Sequence, residues 1–331
     1  HRLAGDTTSQ ASCGIIRAVN ETELPDAARG DGMEQPKPGH WIGLRGRLAR
    51  SFWGWLGVWA VLCGALASGQ LRPQGDALLN LALVLLLVEL GWGSLWDLVV
   101  GTEWFRPLDE AWPPTGAPPA AALPYTQPQA PGGRLARWLG RLVAWWRHAF
   151  WPLTGPALLA ILAAVLLSVV LALLLPERLR PLYAALVALL GLGLVLKRRG
   201  REPLAAQALA RVGLTWLAGH AAFAKPEPAS IFLALAFALA AWGGLRLATG
   251  LPRGLWLLNL GQAAAIVVLL VLKQPLAAGV SGLLLFGQVA MQPSLRYGAV
   301  PATGERPYAF VSRRTWPWLM AAMLLAALAL P

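Results

Sequence analysis

Charged residues are scarce in this sequence, since only 13% of its 331 residues are Asp, Glu, Lys or Arg. A soluble domain carries about a quarter, so most of this chain is not expected to face water. Hydrophobic residues make up 56% of the chain and occur in long continuous runs. In lipid the backbone must satisfy its own hydrogen bonds, and runs of this length indicate helices. The sequence therefore predicts an all-α, polytopic membrane protein.

Carboxylates are almost absent from the second half of the chain. No aspartate follows Asp109, and the glutamates after Glu110 all fall in predicted loops or at predicted helix ends: Glu177, Glu202, Glu227 and Glu305. Hard cations such as Mg²⁺ need oxygen ligands and usually carboxylates. The second half is therefore not expected to hold a carboxylate cluster within the membrane.

Cysteine is also rare, and the common catalytic motifs are missing. The two cysteines are Cys13 and Cys63, and the second lies in a predicted spanning helix, so neither a disulfide framework nor a thiolate metal site follows. No Walker A loop, CxxC pair, HExxH motif or Ser–His–Asp pattern occurs. The net charge of +12 is explained by basic cytoplasmic loops, and we predict no binding to nucleic acid.

Hydropathy divides the chain into about nine spanning helices, each near the ~20 residues that cross a hydrocarbon core of about 30 Å. Prolines lie at or near many of the predicted helix ends, where they cost least. The predicted segments are 52–69, 76–101, 153–175, 179–196, 204–223, 229–249, 254–272, 275–292 and 315–330.

Basic residues are distributed unevenly between the two sides that this topology defines. The side opposite the N-terminus holds only Arg72, Arg178, Arg180, Lys225 and Lys273, and most other Lys and Arg lie on the N-terminal side. Cytoplasmic loops carry such an excess, so the N-terminus is predicted to be cytoplasmic and the C-terminus to lie on the opposite side. The preference for arginine over lysine is typical of a GC-rich bacterium, so we predict a multi-pass protein of the bacterial inner membrane.

Domain organisation is expected to be simple. Residues 1–32 are polar and mixed in charge, and Met33 opens the basic flank of the first apolar run. We interpret 1–32 as a disordered or non-native N-terminal segment and 33–331 as a single transmembrane helical domain. No internal repeat or soluble domain is evident.

The longest predicted loop is cytoplasmic and covers residues 102–151. Its first half is rich in proline and is expected to be extended. An amphipathic helix follows at 134–148, with Arg134, Arg137 and Arg141 on one face and leucines and tryptophans on the other. This pattern predicts a helix in the membrane interface, and docking of a partner protein is the alternative.

Ionisable residues in the second predicted helix are the first candidates for chemistry. Glu89, Gly93 and Asp97 are spaced by four and share one side of that helix. An ionisable side chain at membrane depth is a functional candidate. The alternatives are that Glu89 is a structural partner of Arg211 and that Asp97 is a solvated residue at the helix end.

Other polar side chains are candidates for ligand binding. His148 and His220 are candidate pigment ligands through an imidazole nitrogen, although neither has a second histidine at a supporting spacing. Asn259, Gln262 and Gln288 lie on apolar helices, where they either hydrogen-bond between helices or line a cavity.

Several short motifs together resemble a known family. Gly-Trp-Gly-Ser-Leu-Trp-Asp at 91–97 is followed by Phe-Arg-Pro-Leu at 105–108, Leu-Lys-Arg-Arg lies at 196–199, and Arg-Arg-Thr-Trp-Pro-Trp opens the last helix at 313–318. With nine predicted helices and a long loop after the second, the chain resembles the UbiA-type intramembrane prenyltransferases, which include chlorophyll synthases, haem O synthases and quinone-pathway enzymes.

The resemblance implies roles for particular residues. In an active member, Asp97 and Glu89 would be catalytic and Asp97 would bind the Mg²⁺ that holds a polyprenyl diphosphate. Basic residues would grip the diphosphate, and amides would line the cavity, so the implied substrate-binding residues are Arg106, Lys197, Arg198, Arg199, Arg246, Asn259 and Gln262.

The chain departs from the family at the second aspartate-rich motif. That motif would fall at 242–250, which contains no acidic residue. Our leading hypothesis is therefore a UbiA-like protein without magnesium-dependent prenyl transfer, which binds an isoprenoid, pigment, quinone or lipid, or serves as a subunit of a membrane complex. The alternatives are an active divergent prenyltransferase and a membrane transporter of another family.

Overall fold

The computed structural model of the chain describes residues 55–72, 74–104, 131–295 and 307–330, and these ranges contain helices and no strand. The prediction of an all-α membrane protein is confirmed at this level. The N-terminal segment 1–32, the proline-rich half of the long loop and Arg106 lie outside the described residues.

The described helices follow the predicted segments closely and are numbered here in chain order. The first four are α1 (Trp55–Ala67), α2 (Gly75–Gly101), α3 (131–174) and α4 (Arg180–Arg198). The next five are α5 (204–223), α6 (Pro228–Ala248), α7 (Gly254–Val271), α8 (Pro275–Met291) and α9 (Pro307–Ala329).

Within the described residues, five stretches are long and apolar enough to cross a membrane: Gly75–Gly101, Thr154–Leu174, Glu177–Arg198, Pro228–Ala248 and Gly254–Val271. Helices α1 and α8 are also apolar but shorter. The chain is thus a membrane protein by the length and composition of its helices, and a total of about nine spans stays a prediction.

Two helix boundaries differ from the predicted ones. Helix α3 runs without a break through the π turn Trp146–Phe150, so the predicted interfacial helix 134–148 is the first part of the helix that contains the next span. Pro152 lies two residues after the end of the π turn, close to the place where the hydrogen-bond register changes and a proline is easier to accommodate.

Helix α9 begins earlier than predicted, at Pro307 instead of residue 315, and Pro317 lies inside it. Its polar first part packs against the end of α6, where the Ser312 hydroxyl donates a hydrogen bond of 3.1 Å to the carbonyl of Gly244. Hydropathy could not detect this part because its helical structure is supported by a tertiary contact and not by an apolar run.

Small residues allow the closest helix contacts. A Cβ atom on Gly64 of α1 would overlap the carbonyl oxygen of Trp216 of α5, and a Cβ on Gly219 would overlap the carbonyl oxygen of Val61. Gly243 and Gly261 play the same part where α6 and α7 cross. Membrane helices use such small residues to bring their backbones together.

Helix α5 lies between two groups of packed side chains. Trp216 and Val212 belong to the group that α5 forms with α1, α6, α7, α8 and α9. Leu214 and Ala218 belong to the group that it forms with α2, α3 and α4. The span 214–222 is therefore buried in protein, which explains how an otherwise apolar helix can carry polar side chains.

Candidate functional site

A small pocket that is partly open to solvent lies where α1, α2, α4 and α5 meet. Glycine, aliphatic and tryptophan side chains make up most of its wall, and its polar groups come from α2 and α5. The lining residues are Gly57, Val88, Glu89, Trp92, Gly93, Trp96, Leu186, Ala210, Arg211 and Thr215.

Both helices that supply the polar groups are distorted at the pocket. The π turn Leu87–Gly93 carries Glu89, and the π turn Leu209–Gly213 carries Arg211. A π turn inserts one residue into a helix and redirects the side chains around it, and such turns are frequent at functional sites. The coincidence of two π turns makes this pocket the strongest candidate site in the described part of the chain.

Arg211 is the central charge of the pocket. Its guanidinium Nη2 lies 3.1 Å from Oδ1 of Asp97, with the Arg211 side chain 19% exposed and that of Asp97 50% exposed. Glu89 adds a second electrostatic attraction to Arg211. The two carboxylates that the sequence places on one side of α2 therefore share one cation contributed by α5.

Backbone packing holds these groups in place. A Cβ on Gly57 would lie 3.1 Å from Oε1 of Glu89, so this carboxylate rests against the α1 backbone. The Thr215 hydroxyl donates a bond of 2.7 Å to the carbonyl of Arg211, one turn earlier in α5. The Arg211 Nε–H is buried and finds no acceptor among the described residues, so it is a donor that a ligand could use.

Of the basic residues that the family resemblance implied, none of those that the structure describes lines this pocket. Lys197 Nζ instead donates to the carbonyls of Val100 and Gly101, at 2.8 and 3.2 Å, and so caps the end of α2. Cations at a helix C-terminus are favourable. Arg198 and Arg199 are exposed at the end of α4.

Arg246 belongs to a different contact, on α6. Its guanidinium carbon lies 5.9 Å from the ring centroid of Trp242, one turn earlier in the helix. It does not line the pocket around Arg211. The roles of Arg198, Arg199 and Arg246 in gripping a diphosphate remain predictions, which the pocket geometry does not support.

The amide residues form a hydrogen-bond network between α7 and α8. Gln262 Nε2 donates to Gln288 Oε1 at 2.7 Å, and Gln288 Nε2 donates to Asn259 Oδ1 at 3.3 Å. Asn259 and Gln292 exchange two further bonds, at 3.1 and 2.8 Å. Of the two interpretations of Asn259 and Gln262, the geometry favours hydrogen bonding between helices over a cavity wall.

Replacing Gln288 with leucine is expected to lower the free energy of unfolding by about 2 kcal/mol, because Gln262 and Asn259 then lose a partner inside a buried contact. Denaturant titration of the purified protein in detergent measures this change. Leu283, an exposed residue of the same helix, gives the control: Leu283→Ala should change the stability little, and an equal loss in both variants would contradict the role of the network.

The two histidines have different surroundings. His220 is buried, with Nδ1 3.1 Å from the Ser230 hydroxyl, which also accepts a bond of 3.0 Å from Trp216 Nε1. This interhelical contact favours a structural role over pigment ligation. His148 is exposed in the π turn of α3, away from the pocket wall.

No group of three or more His, Cys, Asp or Glu side chains within the described ranges has the geometry to hold a metal ion. No protein-family model, curated protein or solved structure matches this chain. The pocket therefore has to be interpreted from its own residues.

The sequence indicated the polar residues that α2 contributes to the site, but gave little indication of those that α5 contributes. Glu89 and Asp97 were candidates because acids are rare in spanning helices. The sequence indicates Arg211 as a possible partner of Glu89, and an arginine in an apolar helix is an equally unusual residue. Gly57 and Thr215 carry no sequence signal of their own, since small and hydroxyl residues are common in membrane helices.

Proposed function

We propose that this protein is a UbiA-like membrane protein that binds an uncharged, lipid-type ligand in the Arg211 pocket and does not catalyse magnesium-dependent prenyl transfer. The ligand class comprises isoprenoids, quinones, pigment tails and uncharged membrane lipids. The observation that carries the proposal is the ion pair between Arg211 and Asp97.

The ion pair matters because it uses the carboxylate that a metal would need. Mg²⁺ binds through carboxylate oxygens in a nearly octahedral shell. A guanidinium 3.1 Å from Asp97 Oδ1 competes for that carboxylate and repels a divalent cation approaching it. Stabilisation of a diphosphate leaving group by bound metal is therefore not expected here.

The charge of the site also disfavours a diphosphate. The Arg211 guanidinium already contacts the carboxylate of Asp97 and is attracted to that of Glu89, so an anionic head group would have to compete with these acids for it. An uncharged head with an oxygen acceptor fits better, because it can accept the buried Nε–H of Arg211. Trp92 and Trp96 offer flat apolar surfaces to a ring or chain.

Blocking the pocket tests ligand binding. We expect protein isolated from its own membrane to carry a lipid-type molecule that mass spectrometry of the extract identifies, and Gly57→Leu to retain at least about tenfold less of it. A leucine at this position would project toward Glu89 and into the pocket and so occupy the space of the ligand. A tenfold loss corresponds to about 1.4 kcal/mol of binding free energy.

The matched control is Gly191→Leu on α4, which makes the same chemical change where no other atom lies within 4 Å of a Cβ. It should retain as much ligand as the unaltered protein. Equal retention by Gly57→Leu would count against the pocket as the binding site. Magnesium-dependent prenyl transfer from a diphosphate donor by the purified protein would overturn the proposed absence of that reaction.

A further inference from the structure

The first part of α3, Pro131–Trp145, has an apolar stripe that no described part of the protein covers. Leu135, Leu139 and Val143 follow one another at helical spacing and are 40% or more exposed. Trp146 continues this line in the π turn, where it stacks on Phe150. The helix continues into the candidate span Thr154–Leu174. The stripe therefore lies close to the start of a membrane span but outside it, where exposure to water would be costly.

The same segment is strongly basic. Arg134, Arg137 and Arg141 recur at intervals of three and four and so share a face beside the apolar stripe, and Arg147 follows in the π turn. No acidic residue occurs between residues 131 and 176. The segment thus presents positive charge that no carboxylate of its own can neutralise.

We propose that Pro131–Trp145 is an anchoring helix that docks on anionic phospholipid head groups at the membrane surface next to the span. Its stripe would enter the boundary between head groups and acyl chains, and its arginines would bind the phosphates. The exposed Trp138 and Trp146 suit this boundary, where tryptophan is enriched. This proposal does not depend on the Arg211 pocket.

Continuity with the span favours lipid over a protein partner as the occupant. The bilayer is the apolar medium within reach of a helix whose next turns enter it. The π turn Trp146–Phe150 and the prolines Pro152 and Pro156 are features at which helices bend, and a bend there brings the stripe down onto the surface. An acidic protein would offer charge to the arginines but would have to displace lipid from the stripe.

The test measures whether the helix lies in water or in lipid. The full chain is reconstituted in nanodiscs of phosphatidylcholine alone or mixed with phosphatidylglycerol. A fluorophore sensitive to polarity is attached at Val143→Cys in a Cys13→Ser background, and Cys63 is buried. We expect the emission to shift to the blue and quenching by head-group nitroxide lipids to rise when phosphatidylglycerol is present. High salt should reverse part of both changes because it screens the charges.

Neutralising exposed arginines of the segment should remove this response. The triple variant Arg134→Gln/Arg141→Gln/Arg147→Gln is expected to lower the equilibrium constant for binding of the helix to the lipid surface by about 100-fold. Each arginine near an anionic surface contributes about tenfold or less to this constant. The matched control replaces three exposed arginines elsewhere, namely Arg72, Arg201 and Arg253, and should keep the full response.

Three results would overturn the proposal. One is a label that stays in water in both lipid mixtures, which would leave a protein partner as the occupant of the stripe. Another is an equal response in neutral and anionic discs, which would mean that the arginines do not recognise head-group charge. Loss of the response in the control variant as well would show a general charge effect and would also contradict the proposal.

Discussion

Gly64→Ala is expected to lower the free energy of unfolding by about 3 kcal/mol or more, the upper part of the range for overpacked contacts. The added Cβ would overlap the carbonyl oxygen of Trp216 across the contact between α1 and α5. A backbone carbonyl cannot rotate away from the added Cβ as a side chain could, so α1 and α5 must move apart. Denaturant titration in detergent, followed by circular dichroism, measures the loss.

The control for Gly64→Ala is Gly191→Ala. Alanine is favoured over glycine in a helix by about 1 kcal/mol, and Gly191 has open space where the Cβ would lie, so this variant should be as stable as the parent or slightly more so. The reciprocal change Gly219→Ala, which would overlap the carbonyl of Val61, should behave like Gly64→Ala. Unchanged stability in both would show that α1 and α5 do not pack as described.

Arg211→Gln is expected to lower the free energy of unfolding by about 2 kcal/mol. Hydrogen bonds to charged groups contribute about 1.5–3 kcal/mol, and Asp97 is half exposed, so water compensates part of the loss. Glu89 also loses its attraction to Arg211. The same titration measures the change.

A double-mutant cycle separates the ion pair from other effects of the substitution. Arg211→Gln combined with Asp97→Asn should cost less than the sum of the two single changes, since both substitutions remove the same contact between the guanidinium and the carboxylate. The exposed Arg201 provides the control, and Arg201→Gln should change stability little. Additive costs in the cycle would contradict a direct interaction between Arg211 and Asp97.

Hydropathy located the helices well because each segment that crosses lipid must itself be apolar along its length, and this property can be read from its own residues. It failed where other forces decide the boundary. The predicted end of the amphipathic helix at His148 does not exist because a π turn carries α3 through to Trp151. The first part of α9 was missed because its polar residues are stabilised by contacts such as Ser312 with the end of α6.

The amphipathic pattern of 134–148 predicts both a helix and its position in the membrane interface, and the structure describes only the helix. The alternation of arginine with leucine and tryptophan is visible in the sequence, and the described helix contains it. Which medium covers the stripe is a question of surroundings that neither periodicity nor hydropathy answers. The nanodisc experiment addresses that question directly.

The sequence by itself determined the class of this protein, because a chain so rich in apolar runs and so poor in charge can satisfy its backbone in a membrane only as helices. It also placed Glu89 and Asp97 on one side of α2, because residues four apart in a helix share a face. Only the tertiary structure decided that Arg211 pairs with Asp97 and that Lys197 caps α2. Such pairings depend on which helices are neighbours, and helix periodicity carries no information about that.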